Sequence, residues 1–365
     1  MAIYLLTFVI SIVFFRFAER MKQRGFSCFF YAIAAIIPSL LAGFRDETVG
    51  IDVLNYVSPY WNYAQHAPSF SSFLLDVNTE KGYALFNFVL AKFFVDIHYL
   101  FFFHQLLIMV FVFLIARKYK DKFESSFVLV FYFLFFYLNT YCAMRQALCN
   151  VLVLYASTFL FEKNKMKWFV LWALAGFMFH NSGVFAFILP ILVYIAKRHE
   201  KNMLLVYVGT IVGTILLVEF YQIILSSLMG IGVLSTKYEI YLNQTGFSTH
   251  KINLIVEVFM FLIVKWNARR RVQNIYFTRI FTLFLLLSFC LEMMGGIVET
   301  ASRVVTYFFL TLMFVMPLSI EEKRKQNLMI AAYSLALFGR FVYLCVITDM
   351  NKTLPYTSKI LGILG

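Results

Sequence analysis

Apolar stretches near the length of a membrane-spanning helix follow one another from the first residues of the chain to its last quarter, separated mostly by short polar breaks. They fall at 2–16, 26–43, 98–116, 124–140, 146–162, 167–180, 183–196, 203–228, 251–267, 275–293, 303–319 and 327–347. A helix rises about 1.5 Å per residue and the hydrocarbon layer is ~30 Å thick, so the pattern predicts an all-α polytopic membrane protein with about twelve crossings. A further run, 83–97, is apolar but short and is interrupted by Asn87 and Lys92. Two polar breaks are long, 44–97 and 229–250. No internal repeat or Gly/Ser-rich linker divides the chain, which reads as a single transmembrane domain over 1–365. The stretch Met1–Phe15 has no basic region before it and no small-residue cleavage site after it, so it is expected to be the first span and not a removable signal.

Composition agrees: 62% of the 365 residues are hydrophobic, 14% are charged, and the mean hydropathy is +0.79. The net charge of +13 does not indicate nucleic acid, because the basic residues form no patch interleaved with stacking aromatics. Six breaks, 16–24, 117–122, 163–167, 197–201, 265–279 and 323–325, hold 22 of the 32 Lys and Arg. If 83–97 does not cross, all six lie on one side, which is then cytoplasmic. The long breaks 44–97 and 229–250 and both termini are accordingly expected outside, with 83–97 a re-entrant or interfacial helix on the outer face. The five cysteines show neither CxxC nor Cys/His ligand spacing, so no disulfide framework or zinc site is expected. The cytoplasmic breaks carry no Walker or GxGxxG pattern, which argues against ATP and nucleotide sugars as ligands.

With the sides assigned, the polar residues that remain gather on the outer face. Arg45 follows the second span, the chain turns at Gly50, and Asp52 and Tyr56 come next. Arg45 on its own reads equally as a headgroup-snorkelling side chain. Glu80 precedes Gly82, Tyr83 and Asn87 at the entrance to the short run, where a carboxylate could simply cap the helix. Arg145, followed by Gln146, opens the fifth span with no other charge nearby. Keeping an arginine beside apolar helices costs about 2.5–3.5 kcal/mol at mid-membrane and less near an end, so an anionic partner is expected. His180 and Ser182 lie in a turn between two short spans, and Arg303 and Tyr307 are four apart on one helical face. A Glu299–Arg303 pair is the plain structural alternative there. Guanidinium forks hold phosphate oxygens and stay charged, so three outer arginines suit a pyrophosphate. Asp52, Glu80 and His180 are the candidates for proton transfer. No DxD pair stands in the outer loops, so neither a metal nor any other cofactor is expected.

The chain resembles the EpsG-like polysaccharide polymerases, related in role to the Wzy-type O-antigen polymerases. The resemblance rests on Arg45 with Gly50, Asp52 and Tyr56; Glu80, Gly82, Tyr83 and Asn87; Arg145-Gln146; His180 and Ser182; Arg303 and Tyr307; and Pro355-Tyr356. It implies a GT-C-like membrane glycosyltransferase of the bacterial inner membrane, acting at the outer surface. The implied substrates are oligosaccharide repeat units on undecaprenyl pyrophosphate, as donor and acceptor, joined into O-antigen, capsule or exopolysaccharide. Membrane lipids and a chain-length regulator are the further partners it suggests. It implies Arg45, Arg145 and Arg303 at phosphate, Asp52 as general base with His180 or Glu80 in reserve, and Tyr56, Tyr83, Asn87, Gln146, Ser182, Tyr307 and Tyr356 around the substrate. A lipid-linked oligosaccharide flippase or other transporter, an O-antigen ligase and an acyltransferase remain alternatives.

Overall fold

The computed structural model describes residues 1–230, 251–268, 274–294, 299–348 and 352–364. Among these the regular structure is helical, with no strand and one isolated bridge between Ser358 and Ile363. The helices are α1 (Ala2–Arg20), α2 (Arg24–Gly43), α3 (Ser58–His66), α4 (Phe70–Asp76), α5 (Lys81–Phe93), α6 (His98–Lys118), α7 (Ser126–Phe131) and α8 (Met144–Ser157). They continue as α9 (Met166–Phe179), α10 (Ile188–Arg198), α11 (Met203–Glu219), α12 (Tyr221–Gly230), α13 (Lys251–Ala268), α14 (Ile275–Met294), α15 (Glu299–Leu318) and α16 (Lys323–Val346). Among the described residues, seven helical stretches are long and apolar enough to cross a membrane: Ala2–Arg20, Arg24–Gly43, His98–Lys118, Met144–Phe161, Asn181–Arg198, Ile275–Met294 and Lys323–Val346. Four shorter apolar ones are Ser126–Tyr141, Met166–Phe179, Met203–Leu217 and Arg303–Leu318. The chain is a membrane protein, and every stretch expected to span is helical. The stretch 203–228 is two helices, broken at Phe220. The predicted outer break 229–250 lies, from 231 onward, outside the described residues.

The chain folds as two compact units, Met1–Val184 with Ser334–Gly365, and Phe185–Tyr333. In the first unit α1 packs on α2, α2 on α6, α6 on α8 and α8 on α9. In the second, α14 is flanked by α10, α11, α13 and α15.

Polar side chains in the first unit repair what the apolar helices leave open. Pro38 inside α2 has no N–H to offer the Ala34 carbonyl, and the Ser11 hydroxyl of α1 donates to it at 2.6 Å instead. After α7 the helix widens into a π turn at Tyr132–Phe136 and tightens to 3-10 geometry at Tyr137–Tyr141. The Tyr137 hydroxyl donates to the Pro38 carbonyl at 2.6 Å and Gln105 bonds both the Tyr132 hydroxyl and Thr140, which fixes this irregular passage against α2 and α6.

The break 44–97 is itself folded. A π turn at Val53–Val57 leads into α3, α4 and α5. Phe88 of α5 packs on Phe70 and Phe73, Lys92 Nζ donates to the Ala67 carbonyl at 2.7 Å, and Trp61 Nε1 to the Val95 carbonyl at 3.2 Å. With 13 residues α5 is roughly 20 Å long, short of a crossing. Its beginning meets the start of α8 through Glu80, and Phe94, just past its end, stacks on Tyr99 in the first turn of α6 at 4.3 Å. Gly43 at the end of α2 lies against His98 and Phe102 of that same α6 end, so α5 starts and finishes at one end of the unit. The three charge-rich breaks of this unit, 16–24, 117–122 and 163–167, lie towards the opposite end, where Arg16 pairs with Glu124 at 3.3 Å, Ser125 donates to Glu19, and Lys118 pairs with Glu162 at 2.5 Å.

Candidate functional site

The turn from Tyr141 to Arg145, between the 3-10 passage and α8, is where the sequence motifs of the first unit converge. Arg45 reaches it from the end of α2. Its guanidinium carbon lies 4.1 Å from the Phe101 ring centre and 4.2 Å from that of Tyr141, and Nη2 donates to the Tyr141 carbonyl at 3.3 Å. The side chain is 1% exposed, its Nε has no hydrogen-bond partner, and no carboxylate ion-pairs with it among the described residues. Burial pulls its pKa below the ordinary arginine value, while the surrounding tyrosines offset part of that. Two aromatic faces thus take the place of a counter-ion.

Gly50 brings the next segment onto the same turn. Its φ of +113° suits glycine, and a Cβ there would lie 2.5 Å from the Tyr141 carbonyl oxygen. The following residues, Ile51 and half-buried Asp52, set their backbone against the Cys142 thiol, whose pKa burial pushes up to about 12. That thiol is no nucleophile at neutral pH. Asp52 stands at the start of the π turn without a capping side-chain bond. Tyr56, one turn on, is 47% exposed.

Glu80 occupies the N-cap position of α5 but does not cap it. Its Oε2 accepts from Arg145 Nη1 at 2.8 Å and its Oε1 from the Asn181 amide at 3.3 Å, while Arg145 Nη1 also reaches Thr79 Oγ1 at 3.2 Å. The anionic partner expected for Arg145 is therefore supplied by the chain. Burial alone would raise the Glu80 pKa, but the Arg145 guanidinium, then His180 and the backbone amides, outweigh it and hold the carboxyl below its usual range. The Arg145 side chain remains 29% exposed against 7% for Glu80, so part of it is open beyond the pair. Gln146 beside it is also partly exposed.

The closeness of α5 to the end of α9 makes this pairing possible. A Cβ on Gly82 would meet the Met178 carbonyl oxygen at 2.7 Å, so only glycine lets the helix start sit there. Two residues past Met178, His180 Nδ1 lies 2.6 Å from Ser182 Oγ and accepts the Ser182 amide at 3.2 Å. An amide can only donate, so Nδ1 is an acceptor and the neutral ring carries its proton on Nε2.

Four of the expected substrate-facing residues are interior: Tyr83, Asn87, Tyr356 and, in the second unit, Tyr307. Tyr83 and Asn87 are buried in α5, and Tyr356 is buried with its hydroxyl donating to the Leu41 carbonyl at 2.8 Å. Tyr356 belongs to a C-terminal strap that sequence reasoning caught only at Pro355-Tyr356. The Asp46 amide donates to the Thr357 carbonyl, Gly50 N to the Lys352 carbonyl and Lys359 N to the Asp46 carboxylate, so the strap clamps 44–50 in place. His104 was likewise missed. Its Nε2 donates to the Met144 carbonyl at 2.9 Å, one residue from Arg145. The adjacent polar pair His104-Gln105 within an apolar helix was the available signal. Arg303, partly exposed, and Tyr307, buried, are on α15 in the second unit; Glu299, the alternative partner for Arg303, has a side chain outside the description.

Arginine, carboxylate and histidine side chains thus gather at one end of the first unit of this helical membrane protein. The EpsG family pattern matches residues 28–358, and the chain belongs to the EpsG family, which is associated with polymerase-like activity in polysaccharide biosynthesis. No curated protein and no solved structure matches it.

Proposed function

We propose that this protein is a GT-C-like glycosyltransferase that polymerises oligosaccharide repeat units carried on undecaprenyl pyrophosphate. The carrying observation is the partly exposed Arg145 side chain, tied to Glu80, whose other oxygen accepts from the Asn181 amide between His180 and Ser182, in a chain of the EpsG family. In this reading the protein crosses the bacterial inner membrane about twelve times, with both termini and the Arg145 end outside. An acceptor-sugar hydroxyl attacks the anomeric carbon of the donor, the bond from that carbon to the pyrophosphate oxygen breaks, and lipid pyrophosphate leaves. Arg145 stabilises the charge that develops on the leaving group. Asp52 takes the hydroxyl proton. Glu80 is less suited to that step because Arg145 holds it ionised and occupied, and His180 because its accepting nitrogen already receives the Ser182 amide. Arg45, closed in by Phe101 and Tyr141, supports the turn that carries Arg145 and does not touch phosphate directly.

Polymer length in cells tests this. With membrane expression confirmed, Arg145→Ala abolishes long chains and Asp52→Asn leaves lipid-linked single repeats on the outer side. Undiminished polymer in Arg145→Ala removes the phosphate role; single repeats stranded on the cytoplasmic side instead identify a flippase.

A further inference from the structure

The second unit contains a buried acidic site that the polymerase reading does not use. On α13, Asn253 and Glu257 are four residues apart and share a face. Asn253 Nδ2 donates to Glu292 Oε1 of α14 at 2.9 Å, which turns that face of α13 toward Glu292. Ser288 is four residues before Glu292 and lies on the same face of α14. Glu257 is 1% exposed, Glu292 4% and Ser288 0%. Both carboxylate oxygens of Glu257, and the Ser288 hydroxyl, are buried with no hydrogen-bond partner. No lysine, arginine or histidine ion-pairs with either carboxylate among the described residues. The basic residue of α14, Arg279, is thirteen residues from Glu292, roughly 20 Å along the helix, and Lys251 of α13 is exposed.

Two adjacent carboxylates in an apolar interior cannot both stay ionised without a cation. One desolvated carboxylate with no donor at all already costs several kcal/mol, and a second negative charge one turn away adds to it. Glu292 has a donor in Asn253; Glu257 has none. We propose that α13 and α14 form an intramembrane proton-binding site in which Glu257 carries a single proton and Glu292 stays anionic. The proton turns Glu257 from a pair of unmet acceptors into a donor, and α14, which Asn253 ties to that face of α13, carries two side chains able to accept, Glu292 and Ser288. The ligand class is a proton, and the site lies apart from the Glu80–Arg145 pair in sequence, in unit and in charge balance.

Infrared spectroscopy of the full-length protein in lipid nanodiscs at neutral pH reads this directly, because a protonated carboxyl absorbs apart from carboxylate and amide. In potassium buffer the wild type shows a protonated-carboxyl band that disappears in Glu257→Gln, an uncharged near-isostere, and persists in Glu292→Gln. Glu257→Asp, a second variant that keeps the acid, shifts the band without removing it. A wild-type band equally strong in Glu257→Gln, or no such band in the wild type, overturns the proposal. So does a band that vanishes when sodium replaces potassium, since the occupant is then a metal cation.

Discussion

Glu80 and Glu257 are both carboxylates withdrawn from water, yet they sit in opposite electrostatic settings. Glu80, in the first unit, accepts from Arg145 and from the Asn181 amide, and its pKa is held low. Glu257, in the second, has no donor. The contrast shows that burial does not by itself say what an acid is for. Where a guanidinium and an amide meet the carboxylate, the charge is kept and can organise a site. Where nothing meets it, the charge has to be neutralised by a bound cation.

The sharpest way to break the comparison is to give Glu80 the environment of Glu257. Arg145→Ala does this, leaving a buried carboxylate without its guanidinium. Removing one partner of a fully buried pair costs about 3–5 kcal/mol; with Arg145 29% exposed, screening lowers the expectation to roughly 2–3 kcal/mol. Denaturation of the detergent-solubilised protein measures it. The double variant Arg145→Ala/Glu80→Ala should recover a large part of that loss, because the orphaned charge is gone; strictly additive losses would mean the pair is not coupled.

Next in size is the helix contact that lets Glu80 reach Arg145. Gly82→Ala forces a Cβ to within 2.7 Å of the Met178 carbonyl oxygen, backbone that has little room to give, at a cost of about 1–3 kcal/mol. Gly339→Ala in α16 meets nothing within 4 Å and, being a helical glycine, should be neutral or stabilising by up to ~1 kcal/mol. Equal effects at the two glycines would remove the steric account of Gly82. Arg45→Lys comes below these. It keeps a charge but loses the flat guanidinium stacked between Phe101 and Tyr141, a difference of about 1 kcal/mol; an unchanged melting temperature would show that the rings do not discriminate.

Much of the architecture could be read from hydrophobic spacing, because an apolar helix in a membrane has few alternatives. The charge asymmetry is the ground for reading 83–97 as a run that does not cross, and α5 begins and ends at one end of the first unit. What spacing could not supply were contacts between residues far apart in the chain. Nothing local marks Glu80 as the partner of Arg145, 65 positions away, or Asp46 as a clasp for Lys359. Arg45 and Arg145 looked alike as outer-end cations, and only the rings around one and the carboxylate beside the other separate them. Glu257 was passed over for a related reason. A single acid within an apolar stretch carries no motif, and its significance comes from Glu292 on the neighbouring helix.

The pH response sets the two acids apart. Because the folded-state pKa of Glu80 is lowered, its ionised form stabilises the fold at any pH above the unfolded value of about 4.3, and that contribution disappears as pH falls through the lower folded value. Glu80→Gln never has it. The stability gap between wild type and Glu80→Gln should therefore be constant from neutral pH down to about pH 5 and then narrow on further acidification. Glu257→Gln behaves the other way: an acid protonated in the folded state at neutral pH is ionised in the unfolded chain, so the wild type gains on Glu257→Gln as pH falls from neutral towards the unfolded value of about 4.3, and below that the gap is constant. Parallel melting curves for the wild type and both variants across that range decide the matter. A gap for Glu80→Gln that widens in acid would mean the Arg145 pairing does not favour the carboxylate, and a gap for Glu257→Gln that stays flat from neutral pH to about 4.3 would mean Glu257 is ionised in the folded protein.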